Sequence, residues 1–254
     1  MVVEERDIEY LKKLAGEAGY TLSDKDTDSF IRLFEMLIEK NRVMNLTAIT
    51  EYRDVVEKHF ADSLLIKSAI TSLENEGVKI PDLAVGKLAD MGTGAGFPGI
   101  PLKICNPEMS ITLIDSLQKR IDYINEVVSE LGLTKVETVH GRGEDVGRDK
   151  RYRETFDIVV SRAVASLPVL SEYCMPLVRK SGWFVAYKSG DIEEEVKEGA
   201  AAVKRFGGES AVVKKVTLPG TDIIRSFVFV KKTGNTPVKY PRKAGTPAKD
   251  PVLK

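Results

Sequence analysis

The sequence predicts an α/β fold: a mostly parallel seven-stranded sheet with helices on both faces, its last strand pair antiparallel, preceded by a small helical cap. Three observations predict it. A short apolar run ends in a glycine-rich loop across residues 88–99, as a strand, a tight turn and a helix start would. From residue 88 onward, β-branched runs alternate with amphipathic stretches, the pattern of parallel strands joined by helices. Near the C-terminus two β-branched runs are joined by Pro219-Gly220, which reads as a hairpin.

The 254 residues accommodate one full-size domain and a small appendage. The expected division is a helical cap over residues 1–85, a core over 86–232 and a basic arm over 233–254. In the cap, Ile8, Leu11 and Leu14 recur at helical spacing over 7–19, with Gly16 and Gly19 closing the segment. Ser23 and Asp24 are good N-caps for the next helix. There Phe30, Phe34, Leu37 and Asn41 form one stripe. Residues 41–50 break the period and 55–70 resume it.

In the core, strands are expected at 87–91, 110–114, 136–139, 156–161 and 183–187, with the hairpin at 211–218 and 223–231. Helices are expected from Pro98, over 117–131 up to Gly132, near 168–179, and over 191–206. The tail from Lys232 holds four prolines, at 237, 241, 247 and 251, and no periodicity. Its six basic residues and one Asp give +5. By composition it reads equally as a solvated end or as a basic arm carrying one stacking ring, Tyr240.

The loop chemistry narrows the ligand. A dinucleotide loop has glycines at its first, third and sixth positions; counting from Gly92, the sixth is Phe97. The observed pattern is acidic-x-Gly-x-Gly-x-Gly from Asp90 to Gly96, with Gly92 and Gly94 inside it, the usual loop of S-adenosylmethionine enzymes. An acid just before the loop suits the ammonium of that cofactor's amino-acid tail, directly or through water. Asp115, which ends the second strand 19 residues after Gly96, stands where doubly wound folds place the acid for ribose hydroxyls; Ser116 follows it. Seven strands with an antiparallel last pair is the class I methyltransferase architecture, and the hairpin counts against a dehydrogenase.

Composition removes other classes. Lys plus Arg equals Asp plus Glu, 38 against 38, so no overall field advertises a nucleic-acid partner, and any such partner must use local patches. Cys105 and Cys174 lack metal or redox spacing and read as reduced, buried thiols. The opening residues are acidic without an apolar stretch, so no secretory signal is expected and the expected location is cytoplasmic.

The chain resembles the ribosomal RNA small-subunit methyltransferase G family, once called glucose-inhibited division protein B. The residues that carry the resemblance are Asn45-Leu46-Thr47-Ala48-Ile49, His59 with Asp62-Ser63-Leu64, the loop from Gly92 to Pro101, and Leu113-Ile114-Asp115-Ser116 with Lys119-Arg120. Further on come Ser161-Arg162-Ala163-Val164-Ala165, Ala186-Tyr187-Lys188 and Tyr240-Pro241-Arg242-Lys243-Ala244-Gly245-Thr246-Pro247. The glycine loop identifies only the superfamily; the block after Ser161 and the tail motif are far more specific.

The resemblance implies methyl transfer from S-adenosylmethionine to N7 of one guanine in 16S rRNA of the small ribosomal subunit. No metal or membrane partner is expected, and a monomer is. By position, Gly92, Phe97, Gly143, Glu144 and Arg162 would contact the cofactor, and the tail becomes an RNA arm using Tyr240, Arg242 and Lys243. Gly143 departs from relatives that carry a larger residue there, and Lys58 from relatives with arginine. Guanine N7 has a lone pair and no proton, so in-line displacement needs no general base. Arg162, at the edge of the fourth strand, could orient the cofactor's carboxylate, bind guanine O6 or form a structural ion pair. Lys188, at the edge of the fifth, could donate to phosphate or O6, and Asn45 and His59 could close over the base. On residues alone His59 reads first as a structural histidine. Two rivals remain: a methyltransferase acting on another substrate, and a cofactor-binding RNA assembly factor.

Overall fold

The cap helices form where apolar stripe and capping chemistry coincide. The structure, a computed structural model, describes residues 4–253; the first three residues of the acidic N-terminus, and Lys254 of the tail charge, lie outside the described residues. Helix α1 (Glu5–Glu17) buries Leu11, Leu14 and Ala15. Helix α2 (Asp24–Met44) starts on a reciprocal capping box, with Asp26 N–H donating to Ser23 Oγ and Ser23 N–H to the Asp26 carboxylate. Such a cap stabilises by about 1 kcal/mol. Phe30, Phe34 and Leu37 are buried as the stripe predicts. The helix outlasts Asn41, ending where Asn45 takes left-handed backbone (φ 50°). Asn41 instead clasps the returning loop, donating to Thr47 O and accepting from Thr47 N–H, each at 2.9 Å.

The single helix expected over 55–70 is four segments: α3 (Tyr52–Val55), a π-helical turn (Val56–Ala61), α4 (Asp62–Leu64) and α5 (Ile66–Asn75). A π turn spends an extra residue, rotating the side chains after it relative to a continuous α-helix, and such turns gather at functional sites. Here it carries Lys58 and His59 and delivers Asp62.

The sheet has the order β3-β2-β1-β4-β5-β7-β6, from β1 (Lys87–Met91), β2 (Ser110–Asp115), β3 (Val136–His140), β4 (Phe156–Arg162), β5 (Val178–Ser189), β6 (Val212–Thr217) and β7 (Ile224–Lys231). The pairs among β1 to β5 are parallel, and β7 runs antiparallel to both neighbours, the class I methyltransferase arrangement expected from the sequence. Alternate residues serve two cores: Ile158 and Val160 face the cap with α6 (Gly99–Cys105) and α7 (Gln118–Glu130), while Val159 faces α9 (Leu167–Cys174) and α10 (Glu193–Arg205). The short α8 (Gly143–Val146) leads from β3 toward β4. Strand order reverses between β1 and β4, the crevice where doubly wound sheets bind ligands.

Two expectations are corrected here. The helix expected to reach Arg179 stops at Cys174, because Pro176 has no N–H to continue it; β5 already begins at Val178. The tail is not a free arm, although residues such as Val238 and Lys243 stay exposed. It folds back over the α9 face and forms α11 (Thr246–Lys249). Arg153 donates to the carbonyls of Thr236 (2.7 Å) and Tyr240 (2.8 Å), and Arg148 to that of Pro241 (2.8 Å). Lys232, counted in the tail's charge, is fully buried, with Nζ on Met175 O and Thr236 Oγ1, and burial pushes its pKa down to about 8. No helix among the described residues is long and apolar enough to cross a membrane.

Candidate functional site: a cofactor cleft and an adjoining polar cavity

The loop after β1 turns sharply because Gly92 takes φ +73°, and a Cβ there would meet Val164 at 2.5 Å. Gly94, also left-handed, donates its N–H to Asp115 Oδ2 at 3.0 Å, which pulls the loop onto the end of β2. Beneath lies Asp90, 0% exposed. Its Oδ2 accepts from Thr93 Oγ1 (2.7 Å) and from the N–H of Gly99 at the start of α6 (2.9 Å). Asp90 thus ties strand, loop and helix together and is not part of the cavity wall. A direct grip on an ammonium does not match that placement. Its Oδ1 is buried without a partner among the described residues, and burial pushes its pKa up to about 6.

Above the loop is a cavity of about 650 Å³. Gly92, Gly94, Phe97, Asp115, Ser116, Gly143, Glu144 and Arg162 all line it, so eight of the nine residues expected at the cofactor converge from four segments of chain. Asp115 Oδ1 accepts from Leu117 N–H (2.9 Å), and Arg120 approaches Oδ2 at 3.3 Å, which fixes the carboxylate. Glu144, buried, accepts from the N–H of Gly245 at 2.7 Å, so the C-terminal segment closes this wall. A Cβ on Gly143 would stand 3.1 Å from Tyr173, so the larger residue of other chains would require that ring to yield.

A ligand joining adenosine to an amino-acid tail fits this donor set. The Asp115 acid would suit a ribose diol, Glu144 and the adjoining backbone would suit a base edge, and the glycine loop leaves room for a tail close to the main chain.

The far wall comes from the cap. His59 stacks on Phe97 (ring centroids 4.8 Å apart, planes 11°) and shares a 2.8 Å hydrogen bond with Thr47 Oγ1. Burial, then the Arg162 charge, push its pKa down to about 4. The Arg162 guanidinium lies 5.4 Å from the Phe97 centroid, and its Nη1 donates to Asp62 Oδ2 at 2.7 Å. Ala163 follows with φ +56°, a strained conformation for alanine at the end of β4.

Beyond this wall is a second cavity of about 310 Å³, lined by Lys58, Asp62, Tyr187, Lys188, Ser189 and Arg225, with His59, Arg162 and Ala163 common to both. Arg225 Nε donates to Asp62 Oδ1 (2.6 Å) and its Nη1 to Ser189 Oγ (2.8 Å). Lys188 lines this cavity with its ammonium already held by Glu195 (2.6 Å) and Ala165 O (2.7 Å).

The remaining expected residues do not join the site. Asn45 is exposed at the end of α2 and lines neither cavity. Tyr240 is 5% exposed and packs edge-on against Phe206, so its ring offers no face to a base. Arg242 forks onto the buried Glu172 instead of facing solvent. Lys243 is exposed, as an RNA contact would be. Asp62 was legible only as one of the residues beside His59 that carry the family resemblance. Arg225 carried no signal in a β-branched strand.

The two buried titrating groups give opposite pH responses. His59 drops from 6.5 to about 4 on folding, so below pH 6.5 the unfolded chain takes a proton the folded one refuses, and stability falls toward pH 4. Asp90 rises from 3.8 to about 6, so its contribution is complete below 3.8 and is lost as pH climbs through 6. Between pH 4 and 6 they offset one another. Removing the histidine in His59→Gln should therefore make stability, relative to wild type, improve by about 2–3 kcal/mol between pH 7 and 4.5. Urea midpoints at the two pH values check this, and an unchanged difference would refute it.

Known proteins resemble this chain over most of its length. The family model described as rRNA small subunit methyltransferase G matches residues 26–224. The ribosomal RNA small subunit methyltransferase G of Desulforamulus reducens is 47% identical over 242 residues, covering 95% of this chain and 97% of that protein. That of Lactobacillus helveticus is 49% identical over 234 residues, covering 92% and 94%. Among solved structures, MtNAS in complex with MTA and tNA superposes with a TM-score of 0.51 at 12% identity, over 79% of this chain and 71% of that one. At that identity the likeness speaks for the fold alone.

Proposed function

Because this chain belongs to the rRNA small subunit methyltransferase G family, and so is an S-adenosylmethionine-dependent methyltransferase of small-subunit rRNA, we propose that its methyl acceptor is N7 of one guanine in 16S rRNA. The observation that carries this reading is the wall of His59, Arg162 and Ala163 shared by two cavities. One cavity suits the cofactor; the other, whose lining includes the charged side chains of Asp62, Arg162 and Arg225, is small enough for a single base. Bound S-adenosylmethionine supplies a methyl group activated by its sulfonium, open to in-line displacement.

The chain's residues then have to align and hold. Asp115, Glu144 and the glycine loop fix the donor, with Phe97 and His59 bounding the end nearest the acceptor. His59 is kept neutral by burial and is already bonded to Thr47, so it serves as a wall, not as a proton acceptor. None is needed, because guanine N7 presents a lone pair and no proton. Alignment of this kind can supply roughly 7–11 kcal/mol of a barrier in favourable cases. Arg162, between the cavities, stands where positive charge steers the O6 side of the base. Lys243, exposed on the docked tail, is left to meet phosphate.

Tritiated S-adenosylmethionine, incubated with 30S subunits lacking the modification and followed by nuclease digestion, tests this directly. Label in 7-methylguanosine from 16S rRNA is the expected result. Label in another nucleoside would overturn the N7 assignment. Cofactor binding with no transfer at any assembly stage would favour a binding factor.

A further inference from the structure

The second cavity contains a charge arrangement of which the reading above uses only Arg162. Asp62, buried at the end of the π turn, is held between two arginines: Arg162 on Oδ2 at 2.7 Å and Arg225 on Oδ1 at 2.6 Å. Neither arginine is exhausted by this. Among the described residues Arg162 bonds protein only through Nη1, to Asp62 and more distantly to Lys58 O, which leaves Nε and Nη2. Each carboxylate oxygen keeps a second acceptor position. The cavity wall therefore shows donors at its border with the cofactor cleft and an anionic acceptor immediately behind them.

That order matches one nucleobase edge. Going round guanine from N7, the next groups are O6, an acceptor, then N1–H and the N2 amine, both donors. With N7 at the shared wall, O6 falls beside Arg162, and N1–H and N2 fall toward Asp62. Adenine reverses both groups, setting its N6 amine against a guanidinium and its bare N1 against a carboxylate.

We infer that Asp62, clamped between Arg162 and Arg225, is the guanine-recognition residue of this enzyme, accepting from N1–H and the N2 amine of an unstacked base while Arg162 donates to O6. The assignment rests on the N7 reading above. It makes the cap, not the sheet, the part of the chain that specifies the base, with Arg225 a positioning residue that keeps Asp62 oriented.

The test first locates the guanine that wild type methylates, then compares 30S subunits reconstituted with guanine, inosine or 2-aminopurine at that position. Inosine lacks only the N2 amine; 2-aminopurine lacks O6 and N1–H. For wild type, kcat/KM should fall about tenfold with inosine and further with 2-aminopurine. For Asp62→Asn, activity on guanine should be low, and the inosine penalty should shrink to within about twofold. Because the penalty is a ratio within each enzyme, loss of folded protein cancels from it, and a merely structural Asp62 would leave it unchanged. Equal penalties in the two enzymes would overturn the inference while leaving the N7 reading intact. If Asp62→Asn does not fold, the wild-type series decides alone: methylation of 2-aminopurine at the guanine rate overturns it. Absence of 7-methylguanosine from native 30S would remove the N7 reading, and this assignment with it.

Discussion

Arg242→Ala is expected to lower stability by about 3 kcal/mol, at the low end of what stranding a buried charge costs. Glu172 is 1% exposed, and Arg242 meets it with Nε at 3.0 and 3.1 Å and Nη2 at 2.7 Å. Alanine would remove the fork and leave the carboxylate with the Arg242 backbone N–H at 2.7 Å, a single partner where it had several. For a chain of this length the loss corresponds to a fall of roughly 10 °C in Tm. The segment it anchors also closes the cofactor cleft through Gly245 and Glu144, so affinity for S-adenosylmethionine should weaken in parallel. Replacing both partners, as Glu172→Leu with Arg242→Leu, should cost less than Arg242→Ala alone, because no charge is then left buried. Thermal unfolding of the two variants beside wild type decides it. An unchanged Tm with a raised KM for 30S would restore Arg242 to the RNA-contacting role first expected of it.

Arg162→Met is expected to do the reverse, sparing the fold and removing activity. Asp62 keeps Arg225 in this variant, so no buried carboxylate is abandoned, and methionine fills much of the volume over Phe97. What is lost is the oriented cation on the wall between donor and acceptor. Removing one preorganised donor of that kind costs on the order of 100- to 1000-fold in rate, and that is the fall expected in kcat/KM on 30S. Arg162→Lys should recover little, since an ammonium cannot both hold Asp62 and present a planar pair of donors. Steady-state rates beside a melting curve separate the outcomes. Activity within threefold of wild type would remove Arg162 from the site, and a collapse of Tm would make it a structural ion pair.

Much was legible in the sequence because the information is local. The left-handed turn at Gly92, the loop at Gly94 and the acid closing β2 at Asp115 are written in consecutive residues, and the strands between them in a hydrophobic period. Eight of the nine residues expected at the cofactor therefore meet at one cavity. The segment over 232–253 shows the opposite case. It docks through its own backbone carbonyls onto Arg148 and Arg153, and through Arg242 onto Glu172, so it needs no apolar period and shows none. Composition made it a basic arm; packing made it a wall.

By itself, then, the sequence determined the sheet, the glycine loop and most of the residues that line the first cavity, since each depends on neighbours a few positions away. Only the tertiary structure decided how Asp62, Arg162 and Arg225 meet, because they lie just after a π turn, on a parallel strand and on an antiparallel strand far apart in the chain. An ion pair between such positions leaves no periodic trace. It exists because the sheet order and the extra residue of the π turn bring one carboxylate between two guanidiniums.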